Sequence, residues 1–186
     1  EHIYVSQGKI DVLTNQLKSG EVWTVPTQWS GTAGVTPYIE VTADNLNCNG
    51  AGFSGHTLKI NSIIHNYTRT RGHTLYVINP ITQLVESAVS YDTYDLGTAS
   101  LVAALNAVGV NKIVVLGSWD ACTKDSNLVN ALANFGGANQ TIWAASRYSH
   151  VFIGMRGLSY GQAYEKLSNS AAADGVGARK SDTKSA

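Results

Sequence analysis

The sequence predicts an α+β fold, on three observations. Short β-prone runs fill the first half of the chain, and helical periodicity appears only beyond residue 98. Between the two helical stretches, Ile113-Val114-Val115-Leu116 is a continuous apolar run, the mark of a strand covered on both faces. The order is therefore β-rich first and β-α-β-α-β after.

The elements follow in order. Residues 2–5, 10–13 and 21–25 read as short extended runs, the last closed by Pro26. Such strands bury little by themselves and are expected to pair with a neighbouring chain or to lie on the main domain. Residues 29–34 form a polar, glycine-bearing linker ahead of Pro37. Residues 38–41, 57–60 and 63–67 are strand candidates, with a glycine-rich loop holding Cys48 at 45–55. Residues 74–78 and 84–91 are joined across Asn79-Pro80-Ile81-Thr82, a hairpin turn by composition. Leu101, Val102, Leu105 and Val108 make one apolar stripe, with Thr98 or Ser100 as N-cap. Leu128, Val129, Leu132 and Phe135 make another, with Asp125 or Ser126 at its start and Gly136-Gly137 as a left-handed stop. Residues 151–153 are the last clear strand. Beyond Leu167 the chain turns to Ser, Ala, Gly and Lys, a composition that orders only against a neighbour. The expected organisation is an extended segment over 1–36, a domain over 37–170 and a polar tail over 171–186.

Composition narrows the function. In 186 residues, 13 basic side chains balance 13 acidic ones, and only 14% of residues are charged. A neutral chain of this kind lacks the electrostatic footprint for a nucleic-acid backbone, and no apolar run is long enough to insert in a membrane. Asn, Ser and Thr make up a quarter of the chain, a surface kept in solution by neutral hydrogen-bonding groups, as in many extracellular and virion-surface proteins. The chain opens at Glu1, which reads as a mature or excised piece of something longer. Two cysteines, Cys48 and Cys122, exclude a disulfide framework, and far apart in sequence they are expected to stay free.

Motifs for chemistry are sparse. There is no CxxC, HExxH or GxSxG pattern. The stretch from Gly175 to Ser181 has Arg179 where a phosphate-binding loop needs glycine. Ser118, Asp120 and His150 can be written as a hydrolase triad, or as residues that end and open buried strands. Asp92 and Asp95 fit a calcium loop or a pair of turn caps, and the ligand density of a calcium loop is missing. No cofactor and no metal is expected.

One constellation stands at the edges of the last two core strands. Trp119-Asp120 follows the apolar run, and Trp143 with Arg147-Tyr148 precedes the final strand. A carboxylate accepts from vicinal hydroxyls, a guanidinium donates a fork of N–H bonds, and an aromatic face packs on the C–H surface of a sugar. The same residues also read as a structural Asp–Arg ion pair with Trp side chains filling the core.

The stretch from residue 38 to 167 resembles the interleukin-like epithelial–mesenchymal transition inducer family, also called the ILEI or PANDER-like domain. The resemblance rests on landmarks in order: Arg71-Gly72-His73 leading into Leu75-Tyr76-Val77-Ile78-Asn79; Tyr91-Asp92-Thr93-Tyr94; and Lys112 to Ser118 followed by Asp120. The helix ending in Phe135-Gly136 comes next, then Arg147-Tyr148-Ser149-His150-Val151-Phe152-Ile153-Gly154 with Arg156-Gly157. The resemblance implies two packed β-sheets flanked by helices. The family includes secreted cytokine-like proteins and a non-catalytic, glycan-binding domain in the stem of a protein O-mannose N-acetylglucosaminyltransferase. The stem domain's sugar-contacting Asp and Arg fall on Asp120 and Arg147, whereas the acidic residue usual after that Arg is Tyr148 here. The cysteines of the cytokine-like members are also missing.

Domains of this type occur in bacteriophage tail fibres, and the extended N-terminus and neutral surface are similar to a fibre fragment. The sequence therefore points to a non-enzymatic receptor-binding domain of a virion tail fibre, binding bacterial capsule or lipopolysaccharide through Asp120, Arg147, Trp119 and Tyr148. Residues 1–36 and the tail are expected to hold it as a homotrimer. The rivals are a polysaccharide-degrading fibre enzyme, a structural fibre module and a secreted signalling module.

Overall fold

The computed structural model describes residues 10–11, 16–17, 39–43, 56–65, 67, 70–168 and 184–185. The runs at 2–5 and 21–25, the linker at 29–34, the Cys48 loop and the tail over 171–183 lie outside them. In chain order the first strands are Ile10–Asp11 (β1), Gln16–Leu17 (β2), Ile39–Ala43 (β3), His56–Ile60 (β4) and Ile63–His65 (β5). Gly72–Ile78 (β6), Val85–Tyr91 (β7), the helix Ala99–Ala107 (α1), Ile113–Trp119 (β8) and Cys122–Lys124 (β9) follow. The helix Ser126–Ala133 (α2), Trp143–Ser146 (β10), Ser149–Met155 (β11), Tyr164–Ser168 (β12) and Lys184–Ser185 (β13) complete the series.

The helix-flanked α+β class is overturned. Thirteen strands stand against two short helices among the described residues, and every strand pairing is antiparallel. The protein is β-rich. Strands β12-β11-β8-β6-β7 form one sheet and β13-β3-β4-β5 another, with β1-β2 and β9-β10 as small ribbons. The apolar run in β8 is central, as expected of a strand covered on both faces, and pairs antiparallel with β6 and with β11. An apolar run reports burial on both faces and says nothing of strand direction.

Alternation along the central strands divides two cores. Tyr76, Ile78, Ile113, Val115, Val151 and Ile153 pack against Ile39, Val41, Leu58 and Ile60 of the smaller sheet. Leu75, Val114, Leu116 and Phe152, on the other face, pack against Leu101 and Leu105 of α1 and Leu128 and Leu132 of α2. Both helices thus cover one face of one sheet. Among the described residues, none is long and apolar enough to cross a membrane.

Local chemistry explains the joints. Asp125 caps α2 by accepting the Leu128 N–H at 2.9 Å. Thr98 stands at the N-terminus of α1, yet its hydroxyl donates to the Asp125 carboxylate instead of capping its own helix. Asp125 therefore holds both helix starts together. Arg156 closes α1 by donating to the carbonyls of Leu105, Asn106 and Val108. Gly136, at φ 89°, makes the stop after α2. Asn79 Oδ1 accepts from the N–H groups of Ile81 and Thr82, which builds the β6–β7 turn. Cys122 is buried, with its Sγ 3.5 Å from the Tyr148 carbonyl oxygen, while Cys48 lies outside the described residues.

Candidate functional site

The constellation meets at one end of the larger sheet. β8 closes on Trp119, and Asp120 follows at φ 55°, in the left-handed region that Asp and Asn tolerate better than other side chains. β10 ends at Ser146, which leaves Arg147 and Tyr148 as the link into β11. Arg147 Nε lies 2.9 Å from Asp120 Oδ1, with the two side chains 33% and 26% exposed. Asp120 Oδ1 is itself buried, so the exposure of this side chain falls on its remaining atoms. The charge pair is formed, and it stands at the surface.

The aromatic side chains of the constellation divide between two places. Tyr148 stacks on Trp143, with ring centroids 4.8 Å apart and planes at 12°. Trp119 shares the face of Ile113 and Val115 along β8, which alternation turns toward the smaller sheet. Of the four residues singled out from sequence, Asp120, Arg147 and Tyr148 gather with Trp143. Trp119 sits at their edge on the opposite register face.

Beneath the stack runs a buried polar chain that sequence reasoning missed. Trp143 meets the His150 ring edge-on at 5.6 Å. His150 Nε2 lies 2.9 Å from Glu165 Oε1, and its Nδ1 lies 2.9 Å from His73 Nε2. His73 Nδ1 lies 2.9 Å from Thr93 Oγ1. Lys124 Nζ lies 2.7 Å from the same Glu165 oxygen and donates to the Asn139 carbonyl at 2.9 Å. Thr93, His73, His150, Lys124 and Glu165 are all buried. Burial pushes the Glu165 carboxyl up, but the His150 bond and the Lys124 charge outweigh it and hold the group below the ordinary carboxylate value. Burial pushes the His150 imidazole down, the Glu165 contacts pull it back up in part, and Lys124 adds to the depression.

These directions assign the protons. With Glu165 ionised, His150 must donate from Nε2, so in the neutral ring Nδ1 is an acceptor. His73 therefore donates from Nε2 to His150. In a neutral His73 ring, Nδ1 accepts from the Thr93 hydroxyl. The chain has one direction of donation, from Thr93 to Glu165.

The triad reading does not assemble. Ser118 Oγ accepts the backbone N–H of His150 at 2.8 Å, while both ring nitrogens of His150 face other partners. Asp92 and Asp95 both close on Arg71. A groove of about 480 Å³ between α1 and α2 is lined by Asn106, Asn127, Asn130, Asn134 and small residues, with no ring or charge to orient a polyol.

Residues 71–158 match the family model of the interleukin-like EMT inducer. The ILEI match is narrower than the resemblance over 38–167. It runs from Arg71 to Leu158 and includes Asp120, Arg147, Trp143 and Tyr148. It also takes in Thr93, His73, Lys124 and His150, but Glu165 on β12 lies outside the ILEI stretch. No curated protein matches the chain.

The signal for the buried chain was present but silent. His73 stands beside Thr74 at the start of β6, Lys124 ends the three-residue β9, and β9, β10 and β12 lack a clear β pattern in the sequence. Glu165 meets His150 from 15 residues away and His150 meets His73 from 77. No local pattern joins them.

Proposed function

We propose that this chain is a non-enzymatic carbohydrate-binding domain, of the kind a phage tail fibre uses to hold a bacterial capsule or lipopolysaccharide. The observation that carries the reading is the partly exposed Asp120–Arg147 pair beside the Trp143–Tyr148 stack. The carboxylate takes sugar hydroxyl protons, the guanidinium donates to sugar oxygens, and Tyr148 offers a ring face to the C–H surface. The ILEI match supports the reading only as far as the domain type. The tail-fibre setting draws its support from composition alone: a neutral chain rich in Asn, Ser and Thr.

A glycan array of bacterial capsule and lipopolysaccharide oligosaccharides tests it. Wild-type chain is expected to bind a defined subset, and Arg147→Ala to lose that signal while keeping the wild-type melting temperature. Equal binding by wild type and Arg147→Ala overturns the assignment of the site. Depolymerised polysaccharide overturns the non-enzymatic reading.

A further inference from the structure

The pair at Asp120 has a counterpart two strands away. Gly72 of β6 faces Trp119 of β8 in the ladder, so Arg71 and Asp120 each stand one residue beyond a matched pair. Val151 of β11 faces Gly117 of β8, and the same register carried outward brings Tyr148 opposite Asp120. On the far side of β6, Asp92 follows the last residue of β7. The sheet end therefore presents, across β11-β8-β6-β7, first the Asp120–Arg147 pair and then a cluster at Arg71. Neighbouring strands lie about 4.8 Å apart, so the two clusters are centred roughly 10 Å from one another. A bond from the Thr123 N–H of β9 to Thr93 Oγ1, 3.5 Å long, ties β9 to the loop after β7.

The second cluster contains the same chemistry. Arg71 Nε and Nη2 donate to Asp92 Oδ1 and Oδ2 at 3.2 and 2.8 Å, and Nη2 also reaches the Asp95 carboxylate. The guanidinium lies 4.3 Å from the centroid of the Tyr94 ring. Asp92 Oδ1 further accepts the N–H groups of Tyr94 and Asp95, each at 3.2 Å. Asp92 is thereby the frame of the turn, and Tyr94 and Asp95 are the groups it presents. The Arg71 side chain is 33% exposed, like that of Arg147, while the Asp95 side chain is 55% exposed. Tyr94 is among the exposed large apolar residues.

We propose that Arg71, Tyr94 and Asp95 form a second carbohydrate subsite, so that the ligand is an oligosaccharide laid across the sheet end from β11 to β7. The proposal rests on the reading of Asp120 and Arg147 as the first subsite. A single sugar ring fills one carboxylate–guanidinium–aromatic cluster, whereas the second, roughly 10 Å on, is reached only by a chain of linked sugars. The ordered turn at Asp92 holds the second cluster ready before ligand arrives, which limits the entropy lost on binding.

The test is chain-length dependence. Full-length protein is applied to an array of bacterial surface oligosaccharides printed as graded series, from one residue to six. Wild type is expected to bind the longer members of a series at least tenfold more tightly than the shortest. Tyr94→Ala and Asp95→Asn, each checked for an unchanged melting temperature, are expected to remove that increment and leave the shortest members bound as before. Arg147→Ala is expected to lose both. Length dependence that survives in Asp95→Asn and Tyr94→Ala overturns the second subsite while the first stands. An equal loss for short and long members also overturns it, because the cluster then acts only through the fold. Binding by Arg147→Ala equal to wild type overturns the first subsite, and an array on which wild type binds nothing overturns both.

Discussion

Lys124 Nζ and Glu165 Oε1 lie 2.7 Å apart with both side chains buried, a full ion pair sealed beneath the Trp143–Tyr148 stack. Removing one member leaves the other charge stranded in the core, which costs about 3–5 kcal/mol. Lys124→Met is expected to lower stability by that amount in urea unfolding. Adding Glu165→Gln to it removes the stranded charge, and the double variant is expected to be more stable than the Lys124→Met single. Additive losses would show that the two side chains do not couple.

Acid is expected to destabilise the protein in two stages. His150 titrates in the fold below its ordinary value of 6.5, so between 6.5 and its folded value the unfolded chain binds a proton that the native chain does not. Stability therefore falls as pH drops below about 6.5, by up to about 1.4 kcal/mol per pH unit. Glu165 is depressed below 4.5, which adds a second loss as pH falls from about 4.5 through its folded value. Urea midpoints measured from pH 8 to pH 3 check both limbs. His150→Gln is expected to flatten the upper limb and to weaken the lower one, because Glu165 loses the bond that helps hold it below its ordinary value.

The surface pair separates binding from stability. Asp120→Asn keeps a residue that tolerates φ 55°, so the backbone stays and only the charge is lost. Each charge-assisted bond to ligand is worth roughly 1.5–3 kcal/mol, so glycan affinity is expected to fall about tenfold or more. A partly exposed ion pair contributes about 0–1 kcal/mol to folding, so the melting curve should move little. Titration calorimetry and thermal unfolding on the same sample read the two effects.

Gly72 cannot be replaced. Its φ of 111° is strained for any side chain, and a Cβ there would sit 2.1 Å from the Tyr91 carbonyl oxygen and 2.5 Å from the Thr93 nitrogen. Both contacts are backbone and cannot swing away. Gly72→Ala is expected to lose several kcal/mol or to accumulate unfolded, read by circular dichroism and soluble yield. Gly97→Ala is the contrast: φ is 70°, but nothing lies within 4 Å, so only the backbone strain of about 1–2 kcal/mol is expected.

The local elements are legible in the sequence, because their causes are local. Asp125 before an apolar stripe, Gly136 after it, and Asn79-Pro80 between two β-prone runs each act on backbone groups within a few residues. The sequence also placed Asp120 and Arg147 near strand ends, since each lies a few residues beyond an apolar run. Tertiary structure alone decided the class of the fold. The balance of strands to helices rests on short strands such as β9, β10 and β12, whose residues carry little pattern of their own and pair only once the chain is folded. Tertiary structure also decided that Tyr148 stacks on Trp143 while Trp119 turns to the other face, and that His73, His150, Lys124 and Glu165 share one buried chain. A buried polar residue is tolerable only with its partners in place, and these partners come from four different strands. Their meeting is a property of the folded sheet, set by long-range pairing that no short stretch of sequence encodes.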